Sequence, residues 1–124
     1  MKRRMLAAVA LSLSALSLQA ALAHGTHKAR HGGVVAVVND LGFELVSTPT
    51  GAAIYIDDHG KPMAPIGMTG KLTVLNGTQK SEAELVVSGE KLEAKGVKLA
   101  PGAKVVAALT TSAKKVITVR FTLK

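Results

Sequence analysis

The chain has 124 residues, with 16 Lys or Arg against 8 Asp or Glu and a formal net charge of +8. That length allows one small domain, and the absence of cysteine excludes disulfides, a thiolate zinc site and a cysteine nucleophile. One Tyr, two Phe and no Trp leave too few rings for a nucleic-acid stacking platform, so no nucleic-acid partner is expected.

The first 23 residues read as a leader. Lys2, Arg3 and Arg4 form a positive start, residues 5–18 are apolar apart from serines, and Ala21-Leu22-Ala23 makes a small-x-small cleavage site. This is the anatomy of a helical secretory signal peptide, and its apolar run is short for a membrane span. Removal after Ala23 takes the charge from +8 to +5 and leaves 101 residues. An uncleaved anchor is the alternative. The expectation is a periplasmic protein with no stable membrane insertion after cleavage.

Residues 24–32, "HGTHKARHG", hold three of the four histidines, His24, His27 and His31. The stretch is polar and aperiodic, so it should be a mobile arm unless something ties it down. With His24 as first residue, its amine and imidazole chelate one ion, and His27 or His31 adds a third nitrogen. Nitrogen sets of this kind suit Cu(II), Ni(II) and Zn(II). A solvated arm with incidental histidines is the plain alternative.

From residue 33 to 124 short β-type runs alternate with turn residues. Runs are expected at 33–38, 43–48, 52–57, 71–75 and 82–87, then through "KLEAKG", "AKVVAALTT" and "KKVITVRFTLK". Leu72 and Val74 share one face. Ala83, Leu85 and Val87 should point inward against Glu82 and Glu84, and Ile117, Val119 and Phe121 should form the inner face of the last strand. About eight strands at regular spacing predict an all-β domain, a small antiparallel immunoglobulin-like β-sandwich, with a closed barrel as the alternative.

The segment 57–70, "DDHGKPMAPIGMTG", is the longest stretch without strand alternation and reads as a long functional loop. It carries Asp57, Asp58, His59, Met63 and Met68. Thioethers prefer Cu(I) or Ag(I), so His59, Met63 and Met68 could form a nitrogen–sulfur site, while Asp57 or Asp58 could help hold a harder ion such as Zn(II). Alternatively the methionines plug the open end of the sandwich. No nucleophile motif is present, Asp57 and Asp58 should point to opposite faces as strand neighbours, and "GMTGK" lacks P-loop spacing. An enzyme is not expected.

The stretches "HGGVVAVVNDLGFELV", "IYIDDHGKPMAPIGMTGKLTVLNG" and "LAPGAKVVAAL" resemble small exported proteins of metal-resistance systems. They also look like the short N-terminal domain of some periplasmic adaptor subunits of heavy-metal efflux pumps. The resemblance covers nearly all of residues 24–124. It implies a β-sandwich in periplasmic handling of copper, silver, zinc, cobalt or nickel, with His31 of "HGG" and His59 of "DHG" as ligands. The chain departs from an adaptor in lacking the helical hairpin and lipoyl-like segments.

Together these features predict an exported, non-enzymatic metal-binding accessory protein with a periplasmic efflux adaptor as its partner. Copper is the foremost ion, and zinc, nickel, cobalt and silver are further candidates. Its ligands would come from His24, His27, His31, His59, Met63, Met68 and Asp57. The alternative is a metal-free envelope interaction module that docks by a sheet edge or by the 57–70 loop.

Overall fold

Alternating β-branched and polar residues, cut by two-residue turns, shape this chain into strands. The computed structural model describes residues 27–124; the leader and His24 lie outside them. Among the described residues nine strands run in order: β1 (Val34–Val38), β2 (Leu41–Thr48), β3 (Gly51–Asp58), β4 (Lys61–Met63), β5 (Thr69–Asn76), β6 (Gln79–Ser88), β7 (Lys91–Lys95), β8 (Lys104–Thr110) and β9 (Val116–Thr122). Every pairing is antiparallel.

Local chemistry sets the tightest turns. Val38 pairs with Leu41, so Asn39 and Asp40 alone make the first turn, with φ of 52° and 66°. Asp58 pairs with Lys61, so His59 and Gly60 make another, with φ of 53° and 88°. Two successive positive φ values match the twist of the flanking strands, and Asn, Asp, His and Gly are the residues that tolerate them best. The second turn corrects the expected long loop over 57–70. β3 runs through Asp58, folds back as β4, and leaves 64–68 as the connection to β5.

The strands follow one hydrogen-bonded path, β1-β2-β3-β7-β6-β5-β8-β9, with β4 added to β3. This differs from the expected two-sheet sandwich. β6 joins what would be the two sheets: its residues 79–85 pair with β5 and its residues 86–88 with β7. The path ends at β1 on one side and β9 on the other, and these two strands lie against each other, so the sheet comes close to closing as a barrel. The β5-β6-β7 meander with β8 returning beside β5 is a Greek-key arrangement.

The core lies inside this curl. Phe43 and Leu45 of β2, Ile54 of β3, Leu72 and Val74 of β5, and Val119 of β9 are buried. Ile117 and Phe121 are buried with them, as the alternation of the last strand predicts. Val87 departs from its expected inward place: it is 38% exposed and Val86 59%. β6 changes partner just after Leu85, so the face that continues inward along β5 does not continue along β7.

Candidate functional site

The site is built on the outer face of β2 and β3. Gly42 pairs with Asp57 and Glu44 with Tyr55. Because side chains alternate along a strand, Gly42 and Glu44 point away from the face that carries Phe43 and Leu45 into the core. Residues 27–33 lie across this outer face. The expected mobile arm is therefore tied down over its described part.

Glu44 is what ties it. It is 5% exposed and is the one buried charged residue among the described residues. Its Oε1 accepts the Arg30 backbone N–H at 2.9 Å, and its Oε2 accepts the N–H groups of His31 and Gly33, each at 2.8 Å. The His31 imidazole adds a fourth contact, Nδ1 to Oε1 at 3.0 Å. Burial pushes the Glu44 carboxyl upward. The amides of Arg30 and Gly33, the His31 ring and the His31 amide together outweigh it and hold the group below the ordinary carboxylate value. The His31 ring also lies flat on Tyr55, with centroids 3.6 Å apart and planes 9° from parallel.

The second anchor is His27. Its Nδ1 is 2.8 Å from Asp57 Oδ1, and the two side chains are only 12% and 13% exposed. The same oxygen accepts the Gly60 N–H at 3.0 Å, which braces the β3–β4 turn. His27 has room because residue 42 is glycine: a methyl there would sit 2.5 Å from His27 Nδ1. Arg30 supplies the third anchor, its guanidinium donating to the Gly60 carbonyl. The arm and the first part of the 57–70 segment thus meet on one side of the molecule. A cavity of about 340 Å³ opens beside the arm, lined by Lys28, Arg30, His31, Tyr55, Asp57 and Pro62 among others.

His59 stands apart on its turn. Its Nδ1 meets the neighbouring Asp58 carboxylate, but the side chains are 75% and 51% exposed, and a pair so open to water contributes little. Asp57 meets His27 and Asp58 meets His59, so the two neighbouring carboxylates serve different partners. Met68 is 7% exposed within the core cluster, and Met63 packs partly buried against it. Both side chains therefore belong to the apolar core or its edge.

All three described histidines share one feature: Nδ1 faces a carboxylate. An ionised carboxylate can only accept, so Nδ1 carries the proton and donates it. The lone pair of a neutral ring then lies on Nε2, the nitrogen turned away from the acid. Among the described residues no three His, Asp or Glu side chains converge closely enough to hold an ion by themselves. His24 lies outside the described residues.

Two residues central to this arrangement were not singled out from the sequence, Glu44 and Tyr55. Gly42 carried a usable signal, because a lone glycine within a strand marks a close approach by another group. No family model, curated protein or solved structure matches the chain. The metal-resistance resemblance rests on the quoted motifs alone.

Proposed function

We propose that the protein is an exported, non-enzymatic metal-binding accessory whose ligands are the imidazoles of its N-terminal arm. One observation supports this above the others: His27 and His31 each turn Nδ1–H to a carboxylate, which puts the lone pair of the neutral ring on Nε2, away from the acid. A carboxylate behind an imidazole fixes the ring and raises its basicity, which is the usual outer shell of a histidine-ligated metal. A nitrogen-rich set completed by His24 favours Cu(II) among the divalent ions, with zinc, nickel and cobalt weaker. The burial of Met68 leaves the reading on nitrogen rather than thioether ligands. The leader motif supports export to the periplasm, and the resemblance supports an efflux adaptor as the partner receiving the ion.

The test is calorimetric titration of the metal-free protein with Cu(II), comparing wild type with the triple replacement of His24, His27 and His31 by Ala. Wild type should bind one ion, and the triple variant should lose most of the affinity while keeping its β fold. Equal binding in both would overturn the proposal. A second reading, docking without metal, draws on Ile66, which is 77% exposed in the connection before β5. It would take over if wild type bound no ion.

A further inference from the structure

We infer that the arm is a latch closed by the Glu44 carboxylate, and that Glu44 and Asp57 are positioning residues that aim the imidazoles of His31 and His27 outward. The positioning role rests on the metal-binding proposal above. The latch does not.

A charged side chain on the outer face of a sheet ordinarily stays in water, because burying it unpaired is costly. Glu44 is buried because residues 30–33 cover it and satisfy it. Each oxygen takes two bonds, Oε1 from the Arg30 amide and the His31 ring, Oε2 from the His31 and Gly33 amides. Backbone N–H groups converging on one anion form a nest. Here the anion belongs to the protein itself, thirteen residues along the chain from His31. All four bonds come from residues 30–33, so lifting that segment would return the carboxylate and three amides to water together.

The latch also sets the aim of the rings. His31 is held to one carboxylate by both its amide and its Nδ1, and Tyr55 lies flat beneath the ring. That combination leaves one orientation, with Nε2 away from Glu44. His27 is held in the same manner by Asp57, in the space left by Gly42. With the arm lifted, neither ring keeps a fixed tautomer or direction. A cation bound at Nε2 therefore favours the closed latch, and the closed latch favours the cation by the same factor.

The experiment compares wild type, Glu44→Gln and Asp57→Asn, each without metal, by amide hydrogen exchange and by Cu(II) calorimetry. Glutamine keeps the size of Glu44 but cannot accept at both ends. In Glu44→Gln the amides of Arg30, His31 and Gly33 should exchange at least ~10-fold faster, while amides of the β5–β8 ladder keep their protection and report an intact fold. Removing such an outer carboxylate costs about 10–100-fold in metal affinity, and Cu(II) binding should weaken by that factor. Asp57→Asn, which leaves Glu44 in place, should keep the three amides protected and still lose Cu(II) affinity in the same range. It also keeps the positioning role testable if Glu44→Gln fails to fold. Unchanged exchange in Glu44→Gln would overturn the latch. Faster exchange with unchanged Cu(II) affinity would overturn the positioning role. Faster exchange in a protein whose wild type binds no Cu(II) would support the latch and overturn the metal proposal beneath it.

Discussion

Replacing Gly42 by Ala separates the arm from the sheet on which it lies. A methyl at this position would stand 2.5 Å from His27 Nδ1, 2.9 Å from its Cγ and 3.0 Å from its Cβ. Contacts that short cannot persist, so either β2 or the imidazole moves. β2 is fixed by full registers with β1 and β3, whereas His27 is a side chain on a short arm, so the ring yields and its bond to Asp57 breaks. Loss of that bond to an ionised carboxylate costs about 1.5–3 kcal/mol. Exchanging a strand glycine for alanine returns about 0.5–1 kcal/mol. The net cost of about 0.5–2.5 kcal/mol lowers the melting temperature of a domain this size by about 2–20 °C. The assay pairs thermal melting by circular dichroism with NMR of the His27 ring proton on Nδ1, which hydrogen bonding to Asp57 keeps observable in wild type. The variant should melt about 2–20 °C below wild type with that signal lost. A fall well beyond about 20 °C would mean that the strand gave way instead. A retained signal would mean that the ring never occupied the space above Gly42.

Acid should act through Glu44. Its carboxyl is held below the ordinary value in the folded state, so its stabilisation is present above the unfolded value near 4.5 and is lost as pH falls through the lower folded value. Urea unfolding should show wild type losing stability below about pH 4.5, and the difference from Glu44→Gln, about 1–3 kcal/mol at neutral pH, shrinking toward zero at low pH. A pH-independent difference would refute the assignment. Leu72→Ala, at a fully buried site, should cost about 2–5 kcal/mol by the same unfolding measurement. Met68→Leu should cost less than about 1.5 kcal/mol, because it conserves apolar volume, and should leave Cu(II) titration unchanged. Chelator treatment should leave the β-type circular dichroism and a cooperative melt in place, because the core is apolar and excludes the histidines; loss of the fold would make the ion structural.

The strands were legible because alternation is a local signal. Leu72 with Val74, and Ile117 with Val119 and Phe121, carry their inward face in their own spacing, whatever lies across from them. β4 was not legible, since it has three residues and one is Pro62. Its turn, His59–Gly60, uses a histidine at positive φ where the familiar hairpin pairs are Asn-Gly and Asp-Gly. The choice between two sheets and one nearly closed sheet could not be read from alternation, which is the same in both. It depends on β6 pairing first with β5 and then with β7, and on β1 meeting β9. These contacts join distant parts of the chain, and Val87 was misplaced for the same reason.

The candidate site divides along the same line between local and distant signals. Three histidines within eight residues are visible as a cluster, but their partners are not. Asp57 lies 30 residues from His27 and Glu44 lies 13 from His31. From sequence alone Glu44 is one more polar residue on the outward side of an alternating strand, and nothing nearby shows that the outward side is covered. Composition pointed the other way, because a polar, aperiodic arm has no apolar surface with which to dock. The arm docks through hydrogen bonds instead, four of them to one carboxylate, and such bonds to a charged group are worth more each than neutral ones. That choice of contact makes the closed arm depend on one ionised side chain. An apolar strap of equal length would hold at any pH. This one should release when Glu44 is neutralised, by acid or by substitution, while the nine strands beneath it remain folded.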